Sequence, residues 1–343
     1  MSLAQVPIEL LQEILTYALE GNSSPANVLS VNRQFLNLGR PLLHAHLCFR
    51  SINQLIRFAR GTEALACSPR SLSITLAGGM ADFEVFNHLA AALQRCKRSM
   101  RARNKQQSQS LEETPSEQTE GPVQVPLDML SLRLHSHTNN PYLGYIYEAL
   151  SLANPKTFIW MGPDPEHHFS TAVRRLLRVQ ARHAHTGWVQ QIVPSATYHL
   201  IRALSTWTAI EHITLTNLSF PSDELGVNTP FSRDAPLLPA LPSLRTLYVG
   251  QATLMPPSAV ASMLALPEHA ALLSVRLVDT YRHSIWGPRI RRRDIEQAAV
   301  ALAHLSEDAR AQLVERVRLV VSCEKKTERI MGGDNGDARG VLD

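Results

Sequence analysis

One spacing of apolar residues recurs through the chain and constrains its fold more than any other feature. Ile210, Ile213, Leu215, Leu218 and Phe220 stand at i, i+3, i+5, i+8 and i+10, and Leu244, Leu247, Val249, Ala252 and Leu254 repeat that spacing. Leu127, Leu130 and Leu132 carry its first three places, as do Leu272, Val275 and Leu277, and Val314, Val317 and Leu319. The second and third places are two residues apart, so they share one face of an extended strand. The fourth residue of each unit falls at 130, 158, 213, 247, 275 and 317, at intervals of 28, 55, 34, 28 and 42. The interval of 55 is close to two units of 27 or 28, which places one more strand near Trp188 to Ile192. A unit of this length cannot bury its apolar face alone, whereas stacked neighbours can share one continuous core.

Strand-like and helix-like patterns alternate around these residues. Strands are expected near 70–76, 127–134, 157–161, 210–216, 244–249, 272–278 and 315–321. Helices are expected near 81–95, 142–152, 166–182, 196–206, 257–265 and 294–313. Such alternation indicates an α/β chain with a mostly parallel sheet. The apolar spacing resembles the leucine-rich repeat, with Leu218 and Ala252 in the slot usually held by Asn. That resemblance implies an irregular α/β solenoid over 51–328, without the Asn ladder and with unequal loops. Ile213 and Leu247 are then expected in one core layer, with Leu215 and Val249 in the next. The alternative is an unrelated α/β domain whose buried strands are rich in leucine.

The first fifty residues read differently. In Val6 to Leu19, the residues Glu9, Gln12, Glu13 and Thr16 draw one narrow polar stripe on a helix, and the rest of the cylinder is apolar. Ile8, Leu11, Leu15 and Ala18 form one flank, and Leu10, Ile14 and Tyr17 the other. Pro7 suits a first helical turn, where its missing N–H is not needed. Two further apolar pieces follow, Ala26 to Leu38 and Leu42 to Leu47. Three short helices are close to the lower limit of independent stability, so this unit needs neighbours on both flanks. Leu47-Cys48-Phe49 reads as a short buried strand, and Ser51 as the N-cap of a helix reaching about Arg60.

The order Pro7, Glu9, Leu10-Leu11, Ile14-Leu15, Leu29-Ser30-Val31-Asn32-Arg33-Gln34-Phe35 and Leu42-Leu43-His44 is similar to the F-box. Here Asn32 replaces the usual Cys, Phe35 the usual Trp, and Pro25-Ala26 a leucine pair. The resemblance covers residues 5–50 or so, and the F-box-like domain it implies spans 1–50. It implies a three-helix domain that docks on a Skp-type adaptor and, through it, on a cullin–RING ubiquitin ligase. The adaptor-binding residues it implies are Pro7, Ile8, Leu10, Leu11, Ile14, Leu15, Val31 and Phe35, with Leu11 and Leu15 among the leading candidates. The remainder of the chain would capture a protein substrate, through residues the sequence does not identify. The loop style is similar to the diverged F-box families of mushroom-forming fungi.

From Cys96 to Gln124 the chain is basic, then polar, then acidic, with few large apolar residues. Residues 97–124 are therefore expected to be a disordered insertion. A flexible tail is expected over 329–343, where Gly332-Gly333-Asp334-Asn335-Gly336 lies.

Chemistry is hard to find. The histidine pairs 44/46, 135/137, 167/168 and 183/185 lack the spacing and carboxylate partner of a zinc enzyme. No nucleophile elbow, phosphate loop or dinucleotide fingerprint accompanies Gly78-Gly79 or Gly332-Gly333. No catalytic residue, metal or cofactor is expected, and a degenerate hydrolase ranks far behind. Arg174, Arg175, Arg178 and Arg182 fall on one face of an expected helix. Arg289, Arg291, Arg292 and Arg293 form a cluster that suits an acidic partner. Either that cluster or Lys97-Arg98-x-x-Arg101-x-Arg103 could serve nuclear import.

The net charge of +4 (34 Lys and Arg against 30 Asp and Glu) does not argue for nucleic acid. Thr246 to Pro267, free of charge, is broken by Pro256 and Pro257 and does not read as a membrane span. Glu9 and Glu13 stand where a secretory signal would need a basic cap. The four separated cysteines read as reduced thiols of a cytoplasmic or nuclear protein. The expected function is substrate recognition for a Skp–cullin–F-box ligase, and the alternative is a non-ligase interaction scaffold.

Overall fold

Eight parallel strands form one sheet, and the buried residues of each stand in register with those of the next. Leu47, Leu72, Leu130, Phe158, Ile213, Leu247, Val275 and Val321 are successive partners across it. Two residues further along each strand, Phe49, Ile74, Leu132, Trp160, Leu215, Val249, Leu277 and Cys323 form a second row. Every member of both rows is buried. The computed structural model describes residues 6–21, 24–76, 84–108, 124–134, 142–162, 173–179, 187–193, 196–220, 235–283, 285, 287–327 and 341–342.

Three helices come first: α1 (Ile8–Gly21), α2 (Pro25–Leu29) and α3 (Arg33–Ala45). Then follow β1 (His46–Phe49), α4 (Ile52–Arg60), β2 (Ser71–Thr75), α5 (Val85–Ser108), β3 (Val125–Arg133), α6 (Gly144–Leu150) and β4 (Ala153–Met161). After β5 (Val173–Val179) and β6 (Gly187–Val193) come α7 (Ala196–Leu204), β7 (His212–Ser219), β8 (Thr246–Thr253), α8 (Pro257–Ala265) and β9 (Ser274–Val278). The last elements are α9 (Arg292–Ala301), α10 (Glu307–Val320) and β10 (Val321–Glu324).

The sheet order is β1-β2-β3-β4-β7-β8-β9-β10, so each strand joins beside its predecessor in the chain. A doubly wound sheet would reverse direction at some point, and this one does not. The two buried rows and the apolar sides of α5 to α10 make one core. Phe158 lies at its centre, edge-on to Trp207 at 4.8 Å, and the Trp207 indole N–H donates to the Leu150 carbonyl at 3.0 Å. Burying a side chain of that size contributes roughly 1.5–3 kcal/mol.

The strands also end alike. Asn217 near the end of β7, Gln251 near the end of β8 and Asp279 just after β9 share one register position, and all three are left-handed, with φ of 56°, 51° and 50°. The next position along that row is Gly162, where a Cβ would lie 2.5 Å from the Asn217 carbonyl oxygen. Only glycine permits so close an approach.

Four expectations need correction. Within the expected helix 166–182, residues 173–179 form strand β5, paired antiparallel with β6, and 166–172 and 180–182 lie outside the described residues. The strand expected near Trp188 to Ile192 exists as β6, but in this hairpin and not in the parallel sheet. The helical face assigned to Arg174, Arg175 and Arg178 is therefore absent, and Arg182 lies outside the described residues. Secondly, 294–313 is two helices, because the chain breaks after Leu302 and Ser306 caps α10 through the Ala309 N–H.

Thirdly, residues 315–320 are helical. Val317 is buried one helical turn beyond Leu313, and Val321, not Val317, stands beside Val275. Fourthly, residues 97–108 belong to α5 and are not part of a disordered insertion. Cys96 and Ser99 keep one side of that helix buried, and Arg103 donates to the Ala66 carbonyl. Residues 109–123 lie outside the described residues.

At the other end, Leu342 of the expected flexible tail is 1% exposed, and its N–H donates to the Cys323 carbonyl at 2.9 Å. Val341 bridges Glu324 in antiparallel fashion, which covers the outer edge of β10. Residues 328–340 and 343 lie outside the described residues.

Candidate functional site

The three N-terminal helices sort their apolar residues into two sets. Leu11 and Leu15 are fully buried and Leu19 nearly so, forming the interior of α1 against its neighbours. On the far side of the helix, Leu10, Ile14 and Tyr17 are 50%, 51% and 69% exposed. Ile8 and, from the following segments, Val31 and Leu36 are exposed as well. Gly39 of α3 lets Leu29 of α2 come so close that a Cβ there would strike it. Asn32 is the N-cap of α3, its side-chain oxygen accepting from the Phe35 N–H at 2.8 Å.

Of the expected adaptor-binding residues, the structure leaves Pro7, Ile8, Leu10, Ile14 and Val31 exposed and Phe35 half-buried. Leu11 and Leu15 are core residues and are not available to a partner. The signal that separates the flanks is length. Leu11 and Leu15 continue to Leu19 over two full turns, whereas the other flank ends at Tyr17, whose hydroxyl tolerates water. Tyr17 and Leu36, which are not among the expected adaptor-binding residues, are exposed as well.

Beside this unit a cleft of about 350 Å³ runs between the three helices, β1 and α4. His46, Leu47, Cys48, Phe49 and Arg50 all line it, so it follows the edge of β1. Leu19, Leu42, Leu43 and Phe58 supply apolar walls, and His44 and Gln54 add polar groups.

The loop after α4 is fastened from two sides. From α3, Arg40 pairs with Glu63 at 2.8 Å, the His44 ring Nδ1 accepts from the Ala66 N–H at 2.7 Å, and the Cys67 thiol donates to the Pro41 carbonyl. From α5, Arg95 donates to the Phe58 and Glu63 carbonyls while its guanidinium covers the Phe58 ring, and Ser99 accepts from the Leu65 N–H. Burial, then Arg40, Arg95 and Arg103, hold His44 below the ordinary imidazole value. In α5 itself, burial pushes the Cys96 thiol up to about 12. All four cysteines are free.

The third surface is the sheet face opposite the helices. Its central row is Cys48, Ser73, Ser131, Ile159, Thr214, Tyr248, Arg276 and Ser322. On the strand ends that open it, His46 Nδ1 meets the Ser71 hydroxyl at 2.9 Å, and His212 Nδ1 meets the Thr246 hydroxyl at 2.8 Å. Arg276 donates twice to the Glu324 carboxylate, at 2.7 Å each, and lies over the Tyr248 ring. That pairing raises Arg276 and lowers Glu324 from their ordinary values. This face thus presents hydroxyls, Arg133 and the Arg276–Glu324 pair.

The arginine cluster near 290 is dispersed. Arg289 is buried and bonded to Asp279 at 2.8 Å and to the Thr327 carbonyl at 2.6 Å. Arg291 accompanies Asp294 at the start of α9, and Arg292 faces Glu296. Lys97 to Arg103 are helical, not extended. Among the described residues, no group of three or more His, Cys, Asp or Glu is placed to hold a metal ion, and no helix is long and apolar enough to cross a membrane.

Compared with known proteins, the chain matches no family model, no curated protein and no solved structure.

Proposed function

We propose that this chain is a substrate receptor of a Skp–cullin–F-box type ubiquitin ligase. In this reading α1–α3 are an F-box-like unit that docks on the adaptor. The parallel sheet and its helices are a leucine-rich-repeat-like solenoid, and the substrate lies on its open face. Support for the solenoid comes from the sequential order of the sheet's strands and the left-handed residue that recurs at one register position near the ends of β7, β8 and β9.

The observation that carries the docking role is the exposed row Leu10, Ile14 and Tyr17, with Val31 and Leu36 exposed further along the same three-helix unit. Singly exposed apolar residues need no explanation, but a set on one small helical unit marks an interaction surface. The chemistry of ubiquitin transfer would then reside on other subunits.

The test is a pull-down of the full chain with a purified Skp-type adaptor. Ile14 is half exposed, so Ile14→Arg should fold normally by circular dichroism yet lose the 1.5–3 kcal/mol or so of apolar burial that docking supplies. Affinity should fall at least about tenfold. Gln12→Arg, on the polar stripe, should bind as the parent does. Leu11→Arg should unfold the helical unit instead. No binding by the parent, or equal loss with Gln12→Arg, would leave the scaffold reading.

A further inference from the structure

The two edges of the eight-stranded sheet are treated differently. At β10 the chain's own Val341 and Leu342 cover the outer edge. At β1, among the described residues, no strand pairs with the outer edge, and the cleft of about 350 Å³ follows it. Unpaired edge backbone is a template for another strand, and folded proteins usually cover it.

Charge is the second observation. From Arg33 to Lys105 the chain carries twelve Lys and Arg against three Asp and Glu, an excess of nine. The whole chain has an excess of only four, so the rest carries a deficit of five. The structure gathers part of that excess beside the cleft. Arg50 lines it, and Arg40, Arg95 and Arg103 surround the loop bonded to His44, which lines it too. Glu63, paired with Arg40, is the carboxylate the described residues place among these arginines, and its side chain is 79% exposed.

We infer that the β1 cleft is a second binding site, for an extended acidic segment of a partner protein that adds to β1 as a further strand. Backbone bonds to β1 supply affinity, alternate side chains enter the apolar cleft, and carboxylates on the other alternation meet Arg50 and its neighbours. β1 is four residues long, so the paired core of the ligand is about four or five residues. A protein segment is favoured over nucleic acid because the two phenyl rings lining the cleft give bases no stacking surface: Phe49 is buried and packs on Phe58, and Phe58 is covered by Arg95. The inference does not depend on adaptor docking.

The experiment uses the full chain and fluorescent peptides of about ten residues. A peptide alternating Glu and Val should bind, with an affinity that falls as salt rises, and should slow amide exchange across 46–50. Peptides alternating Lys and Val, or Glu and Gly, should bind at least tenfold more weakly. Arg50→Glu should weaken the Glu–Val peptide at least tenfold, whereas Arg293→Glu, exposed on α9, should not. The inference is overturned if the Glu–Val peptide fails to bind or the Lys–Val peptide binds equally. It is equally overturned if Arg50→Glu has no effect, if exchange slows only elsewhere, or if a single-stranded oligonucleotide binds more tightly than the peptide.

Discussion

His44 shows how one residue ties the helical unit to the sheet and makes that tie depend on pH. Its Nδ1 must stay unprotonated to accept the Ala66 N–H. Burial and three arginines keep its folded value below the 6.5 it would have when exposed. Below about pH 6.5 the unfolded chain therefore takes up a proton that the folded chain refuses. The stability this residue contributes is complete above that pH and is lost as pH falls toward its folded value. His199 is lowered by burial and by Arg202, so it adds to the same window. Glu324, also lowered, acts in a different window, below its ordinary 4.5. We expect His44→Asn, which keeps an acceptor oxygen but does not titrate, to flatten the fall in urea midpoint between pH 7 and 5. An unchanged slope would remove His44 from the account. The sequence marked His44 as one of a close pair and as part of Leu42-Leu43-His44, and gave no sign of its shift, because the groups that cause it come from α3, α5 and a loop far apart in the chain.

Among the elements, α3 depends on its cap. Asn32 precedes it, and its side-chain oxygen accepts from the Phe35 N–H. Asn32→Ala should therefore cost about 1 kcal/mol, read as a lower denaturation midpoint, and Asn32→Ser should restore most of it. A loss with Ser as large as with Ala would assign Asn32 some other task. The capping role was not anticipated, although Ser51 was read correctly as the cap of α4. Helix α8 matched its expected bounds because Pro256-Pro257 opens it and Pro267 follows its end. Where the sequence misled, two structures shared one pattern. Val314, Val317, Val320 and Val321 suit a strand by residue type, yet Ser306, Glu307 and Asp308 start a helix that runs to Val320. In α5 the charged residues after Cys96 hid a helix held by tertiary bonds, since Arg103 reaches back to Ala66. At α1 both flanks were visible, but which one faced inward depended on where α2 and α3 packed.

At the scale of the molecule, the register of the core was the most legible property. Of the residues that the spacing set in one series, Leu130, Phe158, Ile213, Leu247 and Val275 are successive partners across the sheet, whereas Val317 is helical and Val321 takes its place. Parallel strands joined through helices leave little freedom once the apolar places are known. The same arrangement governs how the molecule should respond to force. Each strand of the sheet pairs with strands adjacent in chain order, and β1 and β10 do not close on each other. A load applied through the two ends therefore meets the terminal units first: α1–α3 and β1 on one side, β10 and its covering residues on the other. Held in optical tweezers and stretched, the chain should lengthen through several small, unequal rips as strands peel away one after another. A single large rip would mean that the sheet resists as one block. Peeling strand by strand would let a pulling machine dismantle this protein at modest force from either end.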